Sequence, residues 1–366
     1  MNPSSLSFGQ FMEHALYDPE HGYYASGRVR IGKAGDFFTN VSIGKIYGKI
    51  LALFFEDLWD KMGRPAPFTI VEQGANDGRL ACDILEAVKI SSPFFTVIRY
   101  GIVEPFSYHQ KKQEATLKDQ QNVFWVKKLE DLPTFEGVHF SNELLDAFPV
   151  DLLCWNGKEW LEQRVAETEE PRFSWMTAPI KQGELHHVAT QLPQNLAPGF
   201  LWETRLGIAS WLQAIERRMK RGLLLVADYG YAGIDRFASY RREGSIACYE
   251  QHRRYDNPLE HVGKRDITAH VDFTDLSEKA LQHHFEILGY SDQHHFLIGA
   301  AETWLRMFEG KSLTTSEQKE FRLLQTLLHP ETMGRSFQFL GLGKGITTIP
   351  TLSGFRYQRP GVDYLE

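Results

Sequence analysis

The chain has 366 residues, of which 42% are hydrophobic and 24% charged, which is enough for one large domain with insertions or for two domains. A formal net charge of -7 gives no overall reason to bind nucleic acid, and no apolar run approaches the roughly 18 residues of a membrane-spanning helix. Cys82, Cys154 and Cys248 form no CxxC pair and no signal peptide is evident, so we expect a cytoplasmic protein with reduced cysteines and no metal site.

Two helices are predicted before the first strand. The first ends at Asp18-Pro19. The second is predicted over about Val41–Met62, with Thr39 or Asn40 as its cap. The apolar face of the first helix comprises Phe8, Phe11, Met12, Ala15 and Leu16. That of the second comprises Ile43, Ile46, Tyr47, Ile50, Phe54, Leu58 and Trp59. We assign residues 1–66 to an N-terminal helical segment.

Strands alternating with helices follow. A β-branched run at Phe68–Val71 leads into the glycine-containing loop Glu72–Gly78, and a helix follows. Further strands are predicted at Thr96–Val103, Val123–Val126 and Val138–Phe140. Such alternation is typical of an α/β fold with a doubly wound, Rossmann-like parallel sheet.

The alternation then stops. Leu152–Trp155 and Trp160–Val165 are predicted to form a β-hairpin on an Asn156-Gly157 turn, and Phe173–Met176 a further strand. Residues 151–200 are therefore predicted to be an antiparallel β insertion within the parallel sheet.

The rest of the chain is predicted to return to the sheet and end in helices. An amphipathic helix is predicted over Trp202–Lys220 and stops at Gly222, and a strand follows at Leu223–Ala227. A loop is predicted over 231–270. Helices are then predicted at about 274–288, 299–308 and 315–328, the last with a capping box from Thr314 to Glu317. We assign residues 67–150 and 201–300 to the Rossmann-like core and residues 301–366 to a C-terminal helical segment.

Polar clusters follow four of the predicted strands, at Glu72–Gly78, Glu104-Pro105, Ser141–Asp146 and Asp228–Gly230. In a doubly wound sheet, ligands bind beyond the carboxyl ends of the strands. We therefore expect these clusters to converge on one ligand site.

The loop Glu72–Gly78 does not fit a dinucleotide. Counted from Gly74, the second and third glycine positions of GxGxxG hold Asn76 and Arg79. Carboxylates in this loop would repel a pyrophosphate but attract the ammonium and sulfonium groups of S-adenosylmethionine, and a carboxylate after the second strand can accept both ribose hydroxyls. The sequence thus disfavours a dinucleotide oxidoreductase. The predicted cofactor contacts are Glu72, Gly74, Ala75, Asn76, Asp77, Gly78, Glu104 and Asn142.

Asn142, Glu143 and Asp146 follow the fourth predicted strand, where the transferred methyl group is expected to lie. Glu143 and Asp146 are three residues apart and would share a face of one helical turn. Two carboxylates can grip a guanidinium in fork geometry, so we predict that these three residues are catalytic. The alternative is that Asp146 only caps or forms a salt bridge.

Several short motifs in order resemble the MidA family of methyltransferases, which is related to a mitochondrial arginine methyltransferase needed for assembly of respiratory complex I. The motifs are Tyr17-Asp-Pro-Glu-His-Gly-Tyr-Tyr24, Gly35-Asp-Phe-Phe-Thr39, Val71–Leu80, Asn142–Val150, Ala227–Gly230, Asp266–Phe273 and Met333–Phe337. The resemblance implies a class I methyltransferase fold and a protein client with a methylatable arginine. It also implies that Gly35, Asp36 and Thr39 lie in a lid near the cofactor.

The chain departs from the family pattern at Ser42, where the family usually has Glu, and at Ala247, where it usually has Arg. Two alternatives to arginine methylation remain. One is a methyltransferase acting on a small molecule or another side chain, and the other is an assembly factor that binds S-adenosylmethionine without turnover. The sequence also leaves a homodimer open.

Overall fold

The computed structural model describes residues 5–25, 40–89, 92–169, 172–250, 253–329, 334, 337–346 and 348–358. The chain divides into two compact units. Unit 1 comprises Met1–Phe37, Leu145–Ala209 and Tyr231–Asp272, and unit 2 comprises Phe38–Leu144, Ser210–Gly230 and Phe273–Glu366. The predicted division at residues 66, 150, 200 and 300 follows other boundaries and stays a prediction.

The elements of both units are as follows in chain order. The strands are β1 (Ser5–Ser7), β2 (Phe68–Gln73), β3 (Ile98–Val103), β4 (Val123–Val126), β5 (Phe135–Asn142), β6 (Asp151–Trp155), β7 (Trp160–Glu167), β8 (Phe173–Pro179), β9 (Phe200–Thr204), β10 (Met219–Tyr231), β11 (Ala247–Glu250), β12 (Arg253–Tyr255), β13 (Asp266–Thr268), β14 (Val271–Asp272), β15 (Glu286–Asp292) and β16 (Phe337–Lys344). The α-helices are α1 (Phe8–Tyr17), α2 (Asn40–Ile43), α3 (Ile46–Lys61), α4 (Arg79–Val88), α5 (Ser92–Phe95), α6 (Ser107–Thr116), α7 (Glu184–Gln191), α8 (Ile208–Arg218), α9 (Phe273–Gln282), α10 (Gln293–Arg306) and α11 (Thr315–Leu328).

Unit 2 contains the predicted parallel sheet. Its strands β4, β3, β2, β5 and β10 are adjacent in that order and parallel, and β16 and β15 continue the sheet with antiparallel pairings. Phe140 packs against Phe55 of α3, whereas the next side chain back along β5, His139, packs against Trp211 of α8. Because adjacent strand residues point to opposite faces, helices cover both faces, and the α/β doubly wound fold is confirmed.

The C-terminal part of unit 2 is less helical than predicted. Residues 286–292 form β15 where the sequence predicted a helix to 288, and β16 lies inside the segment predicted to be helical. Glycines obscure the strand pattern here. A Cβ at Gly341 would lie 2.5 Å from the Phe355 ring, and one at Gly289 only 2.3 Å from it. The two glycines therefore make room for a buried aromatic side chain. The capping box of α11 is confirmed.

The predicted helix over Val41–Met62 is divided at Gly44. Gly44 has a φ of 136°, which separates α2 from α3. The apolar face was predicted correctly, since Ile43, Tyr47, Ile50 and their neighbours in the prediction are all buried.

Unit 1 is built on an antiparallel sheet in the order β1-β7-β6-β9, with β8 on β7. The β6–β7 hairpin is confirmed, but its loop has four residues, since Trp155 pairs with Trp160 and Asn156 N donates to Glu159 O at 3.1 Å. The helix predicted from Trp202 is wrong at its start. Residues 200–204 pair with β6 instead, and Gly222 lies inside β10.

The loop predicted over residues 231–270 is also wrong. It contains a three-stranded antiparallel sheet in the order β12-β11-β13. Its strands have three or four residues each, too few to show an alternating pattern in the sequence. Cys248 and Ile267 from this sheet pack into one core with α1.

Two further findings concern the whole described chain. All three cysteines are free thiols. Among the described residues, no helix has the length and apolarity required to span a bilayer.

Candidate functional site

Four parallel strands of unit 2 end at the same edge of the sheet. β2 lies between β3 and β5, and β10 is the next strand after β5. The predicted polar clusters that follow these strands are therefore neighbours, because the carboxyl ends of adjacent parallel strands meet at one edge.

The loop between β2 and α4 depends on two glycines. Gly74 has a φ of 85° and Gly78 a φ of 79°, both in the left-handed region. A Cβ at Gly74 would lie 3.2 Å from Leu144 Cδ1, and one at Gly78 would lie 3.2 Å from Gln113 Cα. The loop thus turns where only bare backbone fits without strain. Between the glycines, Ala75 is buried, and its carbonyl accepts a hydrogen bond from Gly78 N at 2.8 Å.

The two carboxylates of the predicted loop Glu72–Gly78 differ in their surroundings, since Glu72 lies in β2 and Asp77 in the turn after it. Glu72 is 3% exposed and accepts a hydrogen bond from Tyr100 OH at 2.8 Å. Burial, with a smaller contribution from the charge of Asp77, raises the pKa of Glu72 to about 7 against the lowering effect of the Tyr100 hydrogen bond. Asp77 is half-buried and accepts from Arg79 N at 3.1 Å, at the first turn of α4.

Glu104, Gln113, Asn76 and Trp125 form a second group, which we name the Glu104 cluster. Gln113 Nε2 donates to Glu104 Oε2 at 2.8 Å and to Asn76 O at 3.0 Å, while Trp125 Nε1 donates to Gln113 Oε1 at 3.0 Å. The other oxygen of Glu104 accepts from Phe106 N at 3.0 Å. Burial raises the pKa of Glu104 to about 7. Gln113 thus ties the carboxylate after β3 to the glycine loop after β2.

Tyr47, Asn142, Glu143 and Asp228 form a third group, the Glu143 cluster. Tyr47 OH donates to Asn142 Oδ1 at 2.6 Å, and Asn142 Nδ2 donates to Glu143 Oε1 at 3.0 Å. The buried Asp228 accepts from Leu144 N at 3.1 Å.

The backbone at Glu143 is strained. Glu143 has a φ of 54°, although it is not a glycine, and its N–H donates to Ala227 O at 3.0 Å. Backbone strain of this kind is concentrated at functional sites, where it points a side chain in a direction that regular structure would not allow.

The predicted helical turn shared by Glu143 and Asp146 is wrong. The positive φ of Glu143 is not helical, and Asp146 lies in a separate 3₁₀ turn, Leu145–Ala147, of unit 1. There Asp146 O accepts from Ala269 N at 2.9 Å, and burial raises the pKa of the Asp146 carboxyl to about 6 against the lowering effect of Arg205. A catalytic role for Asp146 remains a prediction, without the helical geometry that suggested it.

The structure also adds residues that the sequence did not single out. Tyr47 was assigned to the apolar face of a helix, and Gln113 is a fully buried amide in a helix whose sequence is polar throughout. Asp228 was predicted to belong to one of the polar clusters at the ligand edge, but not to accept from the backbone beside Glu143. The predicted cofactor residues Gly35, Asp36 and Thr39 lie outside the described residues.

The residues present fit a ligand that brings positive charge and hydrogen-bond donors. Glu72, Glu104 and Glu143 supply carboxylates, and the loop leaves space where a Cβ at Gly74 or Gly78 would crowd its neighbours. In the described part of the chain, the buried Asn40 Oδ1 accepts no hydrogen bond. No group of three or more His, Cys, Asp or Glu in that part could hold a metal ion. This donor and acceptor chemistry suits S-adenosylmethionine.

Comparison with known proteins identifies relatives over nearly the whole chain. Residues 50–291 match the model of a family described as S-adenosyl-L-methionine-dependent methyltransferase. The mitochondrial protein arginine methyltransferase NDUFAF7 homolog of Drosophila melanogaster is 26% identical, covering 94% of this chain and 83% of that protein. The mitochondrial protein arginine methyltransferase NDUFAF7 of Homo sapiens is 27% identical, and the match covers 97% of this chain and 82% of the human protein.

A solved structure agrees with these matches. The COG1565 superfamily member from Burkholderia thailandensis, bound to S-adenosyl-homocysteine, has a TM-score of 0.86 and 26% identity, and the match covers 97% of this chain and 92% of that one.

The prediction of a cytoplasmic protein is wrong by these comparisons, because the named relatives are mitochondrial. That prediction came from reduced cysteines and the lack of a secretory signal. Neither feature separates the cytosol from other reducing compartments.

The predicted cofactor and activity are confirmed. The sheet, the acceptor-rich edge and the family match agree on an enzyme that uses S-adenosylmethionine as its cofactor. The chain belongs to the MidA family of S-adenosylmethionine-dependent methyltransferases.

Proposed function

We propose that this methyltransferase methylates a guanidinium nitrogen of an arginine side chain in a protein client. The observation that carries the proposal is the placement of Glu143, a carboxylate that Asn142 and a left-handed backbone hold at the carboxyl end of β5. The adjoining residue, Leu144, lies beside the glycine loop, where a Cβ on Gly74 would be 3.2 Å from Leu144 Cδ1. The relatives named as protein arginine methyltransferases support the choice of arginine.

The cofactor supplies an electrophilic methyl group when it is bound. In the proposal, Glu104 accepts the two ribose hydroxyls, and Glu72 and Asp77 attract the ammonium group. The backbone of Gly74–Gly78, including Ala75 and Asn76, turns beneath the cofactor, and Asn142 contacts it from β5. Each of these roles matches a hydrogen-bond acceptor or bare backbone at the edge of the sheet.

Glu143 has two tasks in this proposal. Its carboxylate accepts N–H groups of the guanidinium and so orients one nitrogen towards the methyl carbon, where positioning supplies much of the rate. It also offsets the positive charge that grows on the acceptor as the nitrogen is alkylated. A planar guanidinium uses the two oxygens of a carboxylate better than the ammonium of a lysine does.

The test is product analysis. The protein is incubated with labelled S-adenosylmethionine and a lysate from cells that lack it, and the labelled products are identified by mass spectrometry. We expect methylarginine in a client protein, lost in Glu143→Gln and kept in the matched control Glu136→Gln, which lies at the opposite end of β5 beside Arg221.

The alternatives predict different products. A labelled small molecule or another labelled side chain would replace the arginine proposal with the first alternative. Cofactor binding without any labelled product would replace it with the assembly-factor alternative.

A further inference from the structure

We propose that Tyr47 is a positioning residue for methyl transfer, which acts on the Glu143 carboxylate through the side-chain amide of Asn142. This inference rests on the proposed function, because it assigns Tyr47 to the reaction at Glu143.

Tyr47 is an unusual member of the helix that carries it. Its side chain is fully buried, and its neighbours on the buried face of α3, such as Ile46 and Ile50, are apolar. A hydroxyl in such a place costs free energy unless it is hydrogen-bonded. The bond of 2.6 Å from Tyr47 OH to Asn142 Oδ1 is therefore the contact that justifies a tyrosine here.

A chain of hydrogen bonds fixes the direction of this contact. It begins at Leu327 O, a backbone carbonyl that can only accept, which receives a bond from Gln293 Nε2 at 2.8 Å. The Gln293 amide must then present its oxygen to Asn40, and Asn40 Nδ2 donates to Gln293 Oε1 at 2.7 Å. The amide orientations of both residues are thus set by a backbone atom.

From Asn40, a second series of hydrogen bonds donates towards the site. A side-chain bond from Asn40 reaches the oxygen of Tyr47, which leaves the Tyr47 proton for Asn142 Oδ1. The Asn142 amide must then present its Nδ2 to Glu143, where it donates to Oε1 at 3.0 Å. An ionised carboxylate only accepts, so every donor between Asn40 and the end of β5 points towards Glu143.

The hydroxyl of Tyr47 therefore determines which end of the Asn142 amide faces Glu143. Without it, Asn142 Oδ1 loses its donor and the amide can rotate, so that its oxygen faces the carboxylate and repels it. A small misplacement of a catalytic group has a large effect on rate, because the acceptor must lie in line with the transferred methyl group. Asn142 is only one of the cofactor contacts proposed above, beside Glu72, Glu104 and the loop Gly74–Gly78, so rotation of its amide should change cofactor affinity much less than it changes the rate.

The test is a double-mutant cycle on the full chain, with Tyr47→Phe, Glu143→Gln and the combined variant. The readouts are the initial rate of methylarginine formation, with labelled S-adenosylmethionine and the lysate described above, and the calorimetric Kd for S-adenosylhomocysteine. We expect Tyr47→Phe to slow transfer about tenfold and to leave the Kd within about twofold. In the Glu143→Gln background, the same substitution should change the rate by less than about twofold.

Trp59→Phe is the matched control on the same helix. It removes the bond from Trp59 Nε1 to Pro65 O, of 2.9 Å, from the far end of α3. We expect this variant to lower the Tm and to keep the wild-type rate of transfer.

Three results would overturn the positioning role: a wild-type rate in Tyr47→Phe, losses that multiply in the combined variant, or an equal loss of rate in Trp59→Phe. Full activity of Glu143→Gln would instead contradict the proposed function on which the inference rests, whatever the rate of the Tyr47→Phe variant.

Discussion

The Glu104 cluster and the Glu143 cluster lie at the same edge of one sheet, but they are built in different ways. Glu104 is held by a backbone N–H and by Gln113, which also ties it to the glycine loop. Glu143 has a left-handed backbone, and a series of hydrogen-bonded side chains connects it to a backbone carbonyl of α11. The first cluster ties a carboxylate to the glycine loop, and the second directs a carboxylate through a series of side-chain hydrogen bonds.

The difference suggests a division of work. Groups that contact the cofactor equally before and during transfer change its affinity, whereas groups that act mainly in the transition state change turnover. We expect the Glu104 cluster and its loop to set cofactor affinity, and the Glu143 cluster to set the rate of transfer.

The largest expected effect is at the glycine loop. Gly78→Val places a β-branched side chain at a φ of 79°, with its Cβ 3.2 Å from Gln113 Cα. A left-handed backbone costs about 1–2 kcal/mol and overpacking about 1–3 kcal/mol, so cofactor affinity should fall by roughly a hundredfold or more. Calorimetry with S-adenosylhomocysteine measures the loss, and circular dichroism checks the fold. Wild-type affinity would show that the loop does not cradle the cofactor.

The second effect is on turnover. Glu143→Gln keeps the side chain's size but removes its charge, so the rate of methylarginine formation should fall roughly a hundredfold. Single-turnover kinetics with labelled cofactor separates this loss from product release. Unchanged single-turnover rates would make Glu143 a structural residue.

A third expectation concerns pH. Burial raises the pKa of Glu104 to about 7, and only its ionised form accepts two ribose hydroxyls. Cofactor affinity should therefore fall by at least about tenfold per pH unit below 7 and level off above it. Glu72, whose pKa burial also raises to about 7, adds to this slope.

Glu104→Gln is the control for that expectation. It should reduce the slope of log Kd against pH by about one below pH 7, leaving the contribution of Glu72. Kd values for S-adenosylhomocysteine between pH 6 and 8 measure both slopes. An unchanged slope in the variant would show that Glu104 does not contact the cofactor.

The smallest effect lies outside both clusters. Ser7 caps α1 in unit 1, where its side chain accepts from Gln10 N at 3.2 Å. Ser7→Ala should lower the free energy of unfolding by about 1 kcal/mol, and leave Kd and turnover unchanged. Urea denaturation measures the first quantity. A change in turnover would mean that the division of work extends beyond the two clusters.

In both clusters the sequence could predict the carboxylate but not the buried side chain that organises it. Glu72, Glu104, Asn142 and Glu143 lie at or directly after the carboxyl ends of strands, so their shared edge could be predicted from strand positions alone. The role of Tyr47 could not be predicted, because an aromatic residue at helical spacing on an apolar face is typical of a hydrophobic core residue. Its hydroxyl acquires a role only when β5 is packed beside α3.

Other features depend on tertiary contacts in the same way. Gln113 is one glutamine in a polar helix, and nothing in its spacing marks it as buried. The strand β16 escaped prediction because Gly341 and Gly343 interrupt its apolar pattern, and the reason for one of them is the distant Phe355 ring. The turn at Glu143 was predicted as helical because a positive φ has no signal in a glutamate.

The division of work is tested most directly by the Kd for S-adenosylhomocysteine in Glu104→Gln and Glu143→Gln, measured side by side at pH 7.5. We predict that Glu104→Gln weakens binding by about 1.5–3 kcal/mol for each charge-assisted hydrogen bond lost, while Glu143→Gln stays within about twofold of wild type. Equal losses in the two variants, or a loss confined to Glu143→Gln, would contradict the account.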